Sequence, residues 1–239
     1  MNKRTADAVV LIPGYWLGGW AWEAVTGVLS TAGLEVAAVT LPGLESAETE
    51  RRGIGLSDHI MAVANIVKHA GRPCVLVAHS GAGTVVSGVI DTMPERVSRV
   101  LYVDSGPSSD GTSARPDLEP GTVEIPLPSW EQLRQTGVSL EGLDSTMLER
   151  FRRNAVPHPA GPARDVLTLT NPDRYAVPAT LICSSFPSAQ VRQFAGSGHP
   201  MFAEITKYDD VTYVDLPTGH WPMWSLPADL TRAILGSIS

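Results

Sequence analysis

Val75-Leu76-Val77-Ala78-His79-Ser80-Gly81-Ala82-Gly83-Thr84-Val85-Val86 is the stretch that decides the fold. An apolar run without alternation leads into Ser80, small residues follow, and a helix-compatible segment continues to about residue 91. Such a run reads as a strand buried on both faces of a parallel sheet. A serine at the joint between strand and helix, with small residues two positions to either side, is the pattern of a nucleophile elbow. The usual G-x-S-x-G carries Ala78 and Ala82 here, and alanine still meets the packing requirement. The competing reading is that Ser80 only caps the helix that follows.

Working outward, short runs rich in Val, Ile and Leu recur at 8–12, 34–41, 74–78, 97–103, 179–183 and 211–216. Between two of them Leu56, Ile60, Val63, Ile66 and Val67 repeat at spacings of three and four, one face of a helix. Strand alternates with helix, so the class is α/β with a mostly parallel sheet. The alternation fails from Gly106 to about Tyr175, where prolines gather and only two modest helices, about 130–135 and 144–154, have recognisable patterns. A structureless loop of that length is uncommon, so residues 106–176 are expected to form a small inserted cap.

The length of 239 residues fits one large domain, residues 1–239, better than two small ones. Hydrophobic residues make up 43% and charged residues 18%, which excludes a disordered chain. The net charge of −7 and a basic cluster no longer than Arg152-Arg153 argue against nucleic acid and anionic membranes as partners. No run approaches the roughly 20 apolar residues that span a bilayer. The apolar stretch after Lys3 and Arg4 is broken at Pro13 and Gly14, too early for a secretory leader, so a cytoplasmic protein is expected. Cys74 and Cys183 each sit inside an apolar run and read as reduced core residues.

A serine hydroxyl needs a base, normally histidine, brought from elsewhere in the chain. Of six histidines only His220 follows a late apolar strand, in a turn of Pro217, Thr218 and Gly219. Strand-end loops at the carboxyl edge of a sheet are where catalytic groups are presented. His59 and His69 lie on the helical pattern, His79 should line or buttress the turn at Ser80, and His158 falls in the cap. His199 is the rival base, but no strand delivers it.

Ile12-Pro13-Gly14-Tyr15-Trp16-Leu17-Gly18-Gly19-Trp20-Ala21-Trp22, then Leu41-Pro42-Gly43, the Ser80 elbow and Gly219-His220-Trp221-Pro222 together resemble an α/β-hydrolase. More narrowly, they are similar to the small-cap branch of plant methyl esterases and hydroxynitrile lyases. Pro13 stands where that branch often has His. The resemblance implies oxyanion donors at the backbone N–H of Tyr15 and of Gly81. It also implies an acid after the strand at 179–183, yet Ser184 to Val191 contains no carboxylate. Asp104 ends the strand at 97–103, where some related hydrolases carry their acid, and is taken as the orienting residue, with Asp110 and then Asp215 behind it. Trp16 and Trp221 flank two of these positions and, with Trp130 from the cap, are taken as lining an apolar substrate pocket.

The expected chemistry is cleavage of a carboxylic ester, lactone or thioester by Ser80, His220 and Asp104 through an acyl-enzyme. A lyase on the same scaffold is weakened because Lys3, Lys68 and Lys207 are the only lysines and none sits in a recognised catalytic motif. A ligand-binding protein that has lost turnover is the third reading. No metal or organic cofactor is implied, since no CxxC, HExxH, phosphate loop or dinucleotide fingerprint occurs. The partner expected is a small molecule, with a homodimer also allowed.

Overall fold

The computed structural model describes residues 8–238, so the reading of the extreme N-terminus lies outside the described residues. Six strands form one wholly parallel sheet in the order β2-β1-β3-β4-β7-β8. They are β1 (Ala8–Ile12), β2 (Glu35–Ala38), β3 (Cys74–His79), β4 (Val97–Val103), β7 (Ala179–Cys183) and β8 (Val211–Asp215). Every residue of β1, β3 and β7 is buried, as their unbroken apolar runs require. The flanking strands β2 and β8 are partly exposed, and the run at 34–41 pairs only over its first half.

Alternate side chains of each central strand feed two cores. Val10, Ile12, Leu76, Ala78 and Tyr102 meet α2 (Leu56–His69), α3 (Ala82–Thr92) and α7 (Ser188–Gly196). Val9, Leu11, Val75, Val77 and Leu101 meet α1 (Glu23–Thr31) and α9 (Pro227–Ile238). Helices on both faces of a parallel sheet make this a doubly wound α/β fold. From β1 the chain moves outward to β2 and returns on the other side of β1 as β3. The crevice beyond the carboxyl ends of β1 and β3 is therefore a topological switch point, where such sheets bind ligands.

Between β4 and β7 lie only short elements. The helices α4 (Trp130–Gln135) and α5 (Ser145–Asn154) fall where the patterns place them, each with a side-chain cap, Ser129 and Asp144. A short antiparallel pair, β5 (Glu124–Ile125) and β6 (His158–Pro159), and the turn of helix α6 (Ala160–Arg164) leave no such pattern. Phe151 of α5 packs on Trp130, and on Trp221 and Trp224 around α8 (Pro222–Ser225), which fastens cap to body. No helix among the described residues is long and apolar enough to cross a membrane.

Three histidines, His59, His79 and His158, are buried to 3% exposure or less. Burial penalises their charged form and holds all three below the usual histidine range. The unfolded chain then binds protons below about pH 6.5 that the folded protein refuses, so stability is full above that pH and drains as pH falls. Each histidine contributes at most about 1.4 kcal/mol per pH unit. The guanidinium unfolding midpoint should fall from pH 7 to pH 5; a flat or rising midpoint contradicts this account.

Candidate active site

Among the described residues, three non-glycine residues have left-handed backbones: Trp16 (φ 67°), Ser80 (φ 53°) and Asp104 (φ 45°). Each follows the carboxyl end of a central strand, β1, β3 or β4, and each such conformation costs roughly 1–3 kcal/mol, sustained only by surrounding structure. At Ser80 the N–H donates to Val103 O at 3.2 Å, while its carbonyl accepts from Gly83 N at 3.0 Å and Ser105 Oγ at 2.6 Å. Close approach explains the small residues around it. A Cβ on Gly14 would stand 2.9 Å from Ser80 Cβ, and one on Gly83 would strike the Gly106 carbonyl. Ala78 and Ala82 are both buried at their contacts, so alanine suffices where the motif usually has glycine.

The turn brings Ser80 Oγ to 2.8 Å from His220 Nε2, and His220 Nδ1 to 2.5 Å from Asp104 Oδ2. An ionised carboxylate only accepts, so Nδ1 carries the proton and Nε2 is left to accept from the serine hydroxyl. Burial works against ionisation of Asp104. Hydrogen bonds from His220 and Ser185 outweigh it and hold the carboxyl below its ordinary range. Ser184 N–H and Ser185 N–H both donate to Asp104 Oδ1, at 3.2 and 2.7 Å, and Ser185 Oγ donates to Oδ2 at 2.7 Å. The loop after β7, which lacks a carboxylate, thus supplies the donors that hold one projecting from β4. Asp110 and Asp215 are elsewhere: Asp110 accepts from Leu169 N, and Asp215 from Ser188 N and Oγ.

The main chain of His220 is pinned from two sides. Its N–H donates to Ser139 O of the cap at 2.9 Å, and its carbonyl accepts from His79 Nε2 at 2.7 Å. Burial, with the nearby His220 adding to it, pushes the His79 pKa down to about 3, so His79 stays neutral beside a protonated neighbour. His79 therefore holds the main chain of His220 as well as adjoining the turn at Ser80. Ser139 and Ser185 went unsignalled because a backbone carbonyl and a loop serine leave no pattern in one sequence.

Neither the Tyr15 N–H nor the Gly81 N–H donates to a protein acceptor among the described residues. Gly81 also stands at the N-terminus of α3, where unsatisfied amides and the helix dipole favour a negative charge. The Tyr15 ring covers Gly81, leaving no room for a side chain there. The tryptophans are placed differently from one another. Trp16 donates from its indole to Ile125 O at 3.0 Å, Trp130 lies under the Arg152 guanidinium, and Trp221 is 2% exposed in the core. The narrow slot beside Gly81 is instead walled by Pro13, Tyr15, Leu41, His59 and His158. His199 is exposed, far from these groups in its contacts, and packs on Phe194.

A strained serine at a strand-to-helix turn, with histidine and aspartate from later strand ends, is the arrangement of an α/β-hydrolase. The alpha/beta hydrolase family model matches residues 9–233, and the chain belongs to that family. A carbendazim hydrolyzing esterase of Nocardioides sp. (strain SG-4G) is 29% identical over 106 residues, covering 44% of each protein. A pyrethroid hydrolase of Sphingobium wenxiniae is 23% identical over 96% of this chain and 87% of its own. The match spans only 30% of a chloroplastic methylesterase of Arabidopsis thaliana, so the chain spans less than half the length of the first curated relatives it matches. An extracellular alpha/beta-hydrolase from Paenibacillus superposes with a TM-score of 0.76 at 19% identity, covering 96% of this chain and 98% of that one. A methylketone synthase I of tomato superposes at 0.73 and 18%, over 97% of each. These structural likenesses are likenesses of fold.

The short charge-assisted bond between His220 and Asp104 has a direct signature. Proton NMR should show a ring N–H resonance well downfield of the amide envelope that moves upfield in Asp104→Asn. A spectrum unchanged by the substitution would place the His220 proton elsewhere.

Proposed function

We propose that this chain is a serine hydrolase that cleaves carboxylic esters of apolar small molecules through an acyl-enzyme. The carrying observation is the continuous relay from Ser80 Oγ through His220 to Asp104, at 2.8 and 2.5 Å. Ser80 attacks the carbonyl carbon as its proton passes to His220 Nε2, and Asp104 holds the imidazole tautomer and offsets the imidazolium charge. The Tyr15 and Gly81 amides receive the oxyanion, each worth about 3–4 kcal/mol of transition-state stabilisation. Collapse expels the alcohol, which takes the proton from His220. Water then repeats the sequence on the acyl-enzyme and frees Ser80.

Relatives named as an esterase, a pyrethroid hydrolase and methylesterases support an ester as the bond cleaved. The lyase reading finds less support. Lys207 Nζ is 2.9 Å from Glu204, and Lys68 is exposed on α2.

Ser80→Ala should abolish turnover of p-nitrophenyl acetate and labelling by a fluorophosphonate, while the melting temperature changes little. Wild-type rates in that variant would end the proposal. Asp104→Asn keeps the shape of the side chain but favours the wrong tautomer, and kcat should fall roughly a hundredfold to ten-thousandfold. Asp110→Asn and Asp215→Asn, whose carboxylates bind other loops, should stay within about threefold of wild type, the range expected of changes that leave the reacting groups in place. A collapse in Asp110→Asn beside near-normal Asp104→Asn would move the acid into the cap.

A further inference from the structure

Trp16 stands at φ 67°, in the left-handed region where a bulky side chain is an outlier. It follows Tyr15, whose N–H donates to no protein acceptor among the described residues. A strained residue persists only where its surroundings over-determine it. The Trp16 indole donates to Ile125 O of β5 at 3.0 Å, and the Trp16 carbonyl accepts at 3.1 Å from Val156 N, just ahead of β6. The Tyr15 ring stacks on His158 of β6 with ring centroids 4.0 Å apart. Ile125 and His158 are partners across β5 and β6, so one two-stranded unit grips both Tyr15 and Trp16.

The grip reaches the reacting groups through Tyr15. On one side of it, Gly14 lies so close to the Ser80 turn that an added Cβ would stand 2.9 Å from both Ser80 Cβ and His79 Nδ1. The Tyr15 ring itself lies against Gly81 and leaves no room for a side chain there. The two amides offered to an oxyanion thus belong to residues in contact. On the other side, Trp16 and its partners hold the chain. If φ at Trp16 relaxed to the usual negative range, the Tyr15–Trp16 peptide would turn and carry Tyr15 with it. Oxyanion donors act only when preorganised at the place the oxyanion takes, so a small displacement is costly.

We propose that Trp16 is a positioning residue of the oxyanion site, and that its clasp on β5 and on the chain before β6 holds the Tyr15 N–H where a tetrahedral oxyanion needs it. This rests on the ester-hydrolase reading, which supplies the oxyanion. The indole is spent on the main chain rather than on substrate. Acylation and deacylation both pass through an oxyanion, so displacing the donor slows whichever step limits turnover. The trigonal ester that binds first makes little use of that donor. The clasp's hydrogen bonds do not involve His220 or Asp104.

The test compares wild type with Trp16→Phe, which keeps an aromatic ring and loses the donor to Ile125 O. For p-nitrophenyl acetate, kcat should fall roughly tenfold to a hundredfold, less than the hundredfold to thousandfold expected from deleting a donor outright. KM should stay within about twofold, and the pH profile of kcat/KM should keep its shape. The second readout is inhibition by hexyl trifluoromethyl ketone and by hexyl methyl ketone. Ser80 Oγ adds to the carbonyl carbon of the fluorinated ketone, its proton passes to His220 Nε2, and the carbonyl π pair becomes the oxyanion of a hemiketal; the methyl ketone stays trigonal. Wild type should prefer the fluorinated ketone by at least about a hundredfold, and Trp16→Phe should lose that preference by the same factor as kcat. Val156→Pro, which removes the donor to Trp16 O, should give the same two losses and decides the matter if Trp16→Phe does not fold. A wild-type kcat in Trp16→Phe overturns the proposal, and so does an unchanged ketone preference, which is what a merely structural loosening gives. Cleavage by the wild type without a ketone preference also overturns it and leaves the hydrolase reading standing. Preference without cleavage of any ester ends the hydrolase reading alone, and the ketone ratio in Trp16→Phe still decides the proposal. Neither property in the wild type ends both.

Discussion

Ser80 presents its hydroxyl because its backbone is held left-handed at φ 53°, a conformation a serine does not choose. The rest of the site is arranged around that constraint. The turn survives because β3 and β4 are paired without interruption from Val75 to His79 and the next hydrogen bond, Ser80 N to Val103 O, is made beyond the strand end. Ser105, one residue past Asp104, closes the other side by donating to Ser80 O. The strand that holds the Ser80 turn is therefore the strand that ends in the proposed acid. A substitution in β4 would disturb both at once, and effects there should not add.

Placing the acid on β4 shifts work to the loop after β7. A carboxylate buried beside a neutral imidazole is costly unless its oxygens are met by donors. Ser184 and Ser185 meet them with two backbone N–H groups and one hydroxyl, and His220 supplies the fourth bond. Asp104 N–H donates to Ile182 O, so β4 and β7 stay in register up to the point where the side chain turns across. The absence of Asp or Glu from Ser184 to Val191 is then coherent with the geometry: that segment is the donor, and a second carboxylate there would repel the first.

The central strands were legible because burial on both faces leaves a continuous apolar run, and β1, β3, β4 and β7 match their runs closely. The flanking strand at 34–41 was overread, since its later residues leave the sheet and only Glu35–Ala38 pairs with β1. Helices α1 and α7 carried no comparable signal in the reading; Val28 of α1 faces solvent, and α7 has only Val191 and Ala195 buried. Ser80, His220 and Asp104, which the structure brings within hydrogen-bonding reach of one another, stand out in the sequence because each is a distinctive side chain at a strand end. Trp16 and Trp221 read as pocket walls by adjacency in sequence, and Trp130 by its place in the inserted segment. Adjacency does not fix direction, and Trp221 beside His220 turns into the core against Phe151. His59 and His158 carry no such signal, because the contacts that bury them, with Pro42, with Tyr15 and with each other, are made across the fold.

The segment between β4 and β7 makes two separate contacts around the site. Ser139 O fixes the backbone of His220, while His158 walls the slot on the far side of Gly81. Between them α5 packs Phe151 against Trp221 and Trp224, the residues that follow the base. A change in residues 139–151 would therefore pull on the main chain that positions His220. That coupling restricts which sequences of this segment keep the 2.8 Å approach of His220 to Ser80. The position of His220 relative to Ser80 therefore depends on Ser139 and Phe151 as well as on the sheet.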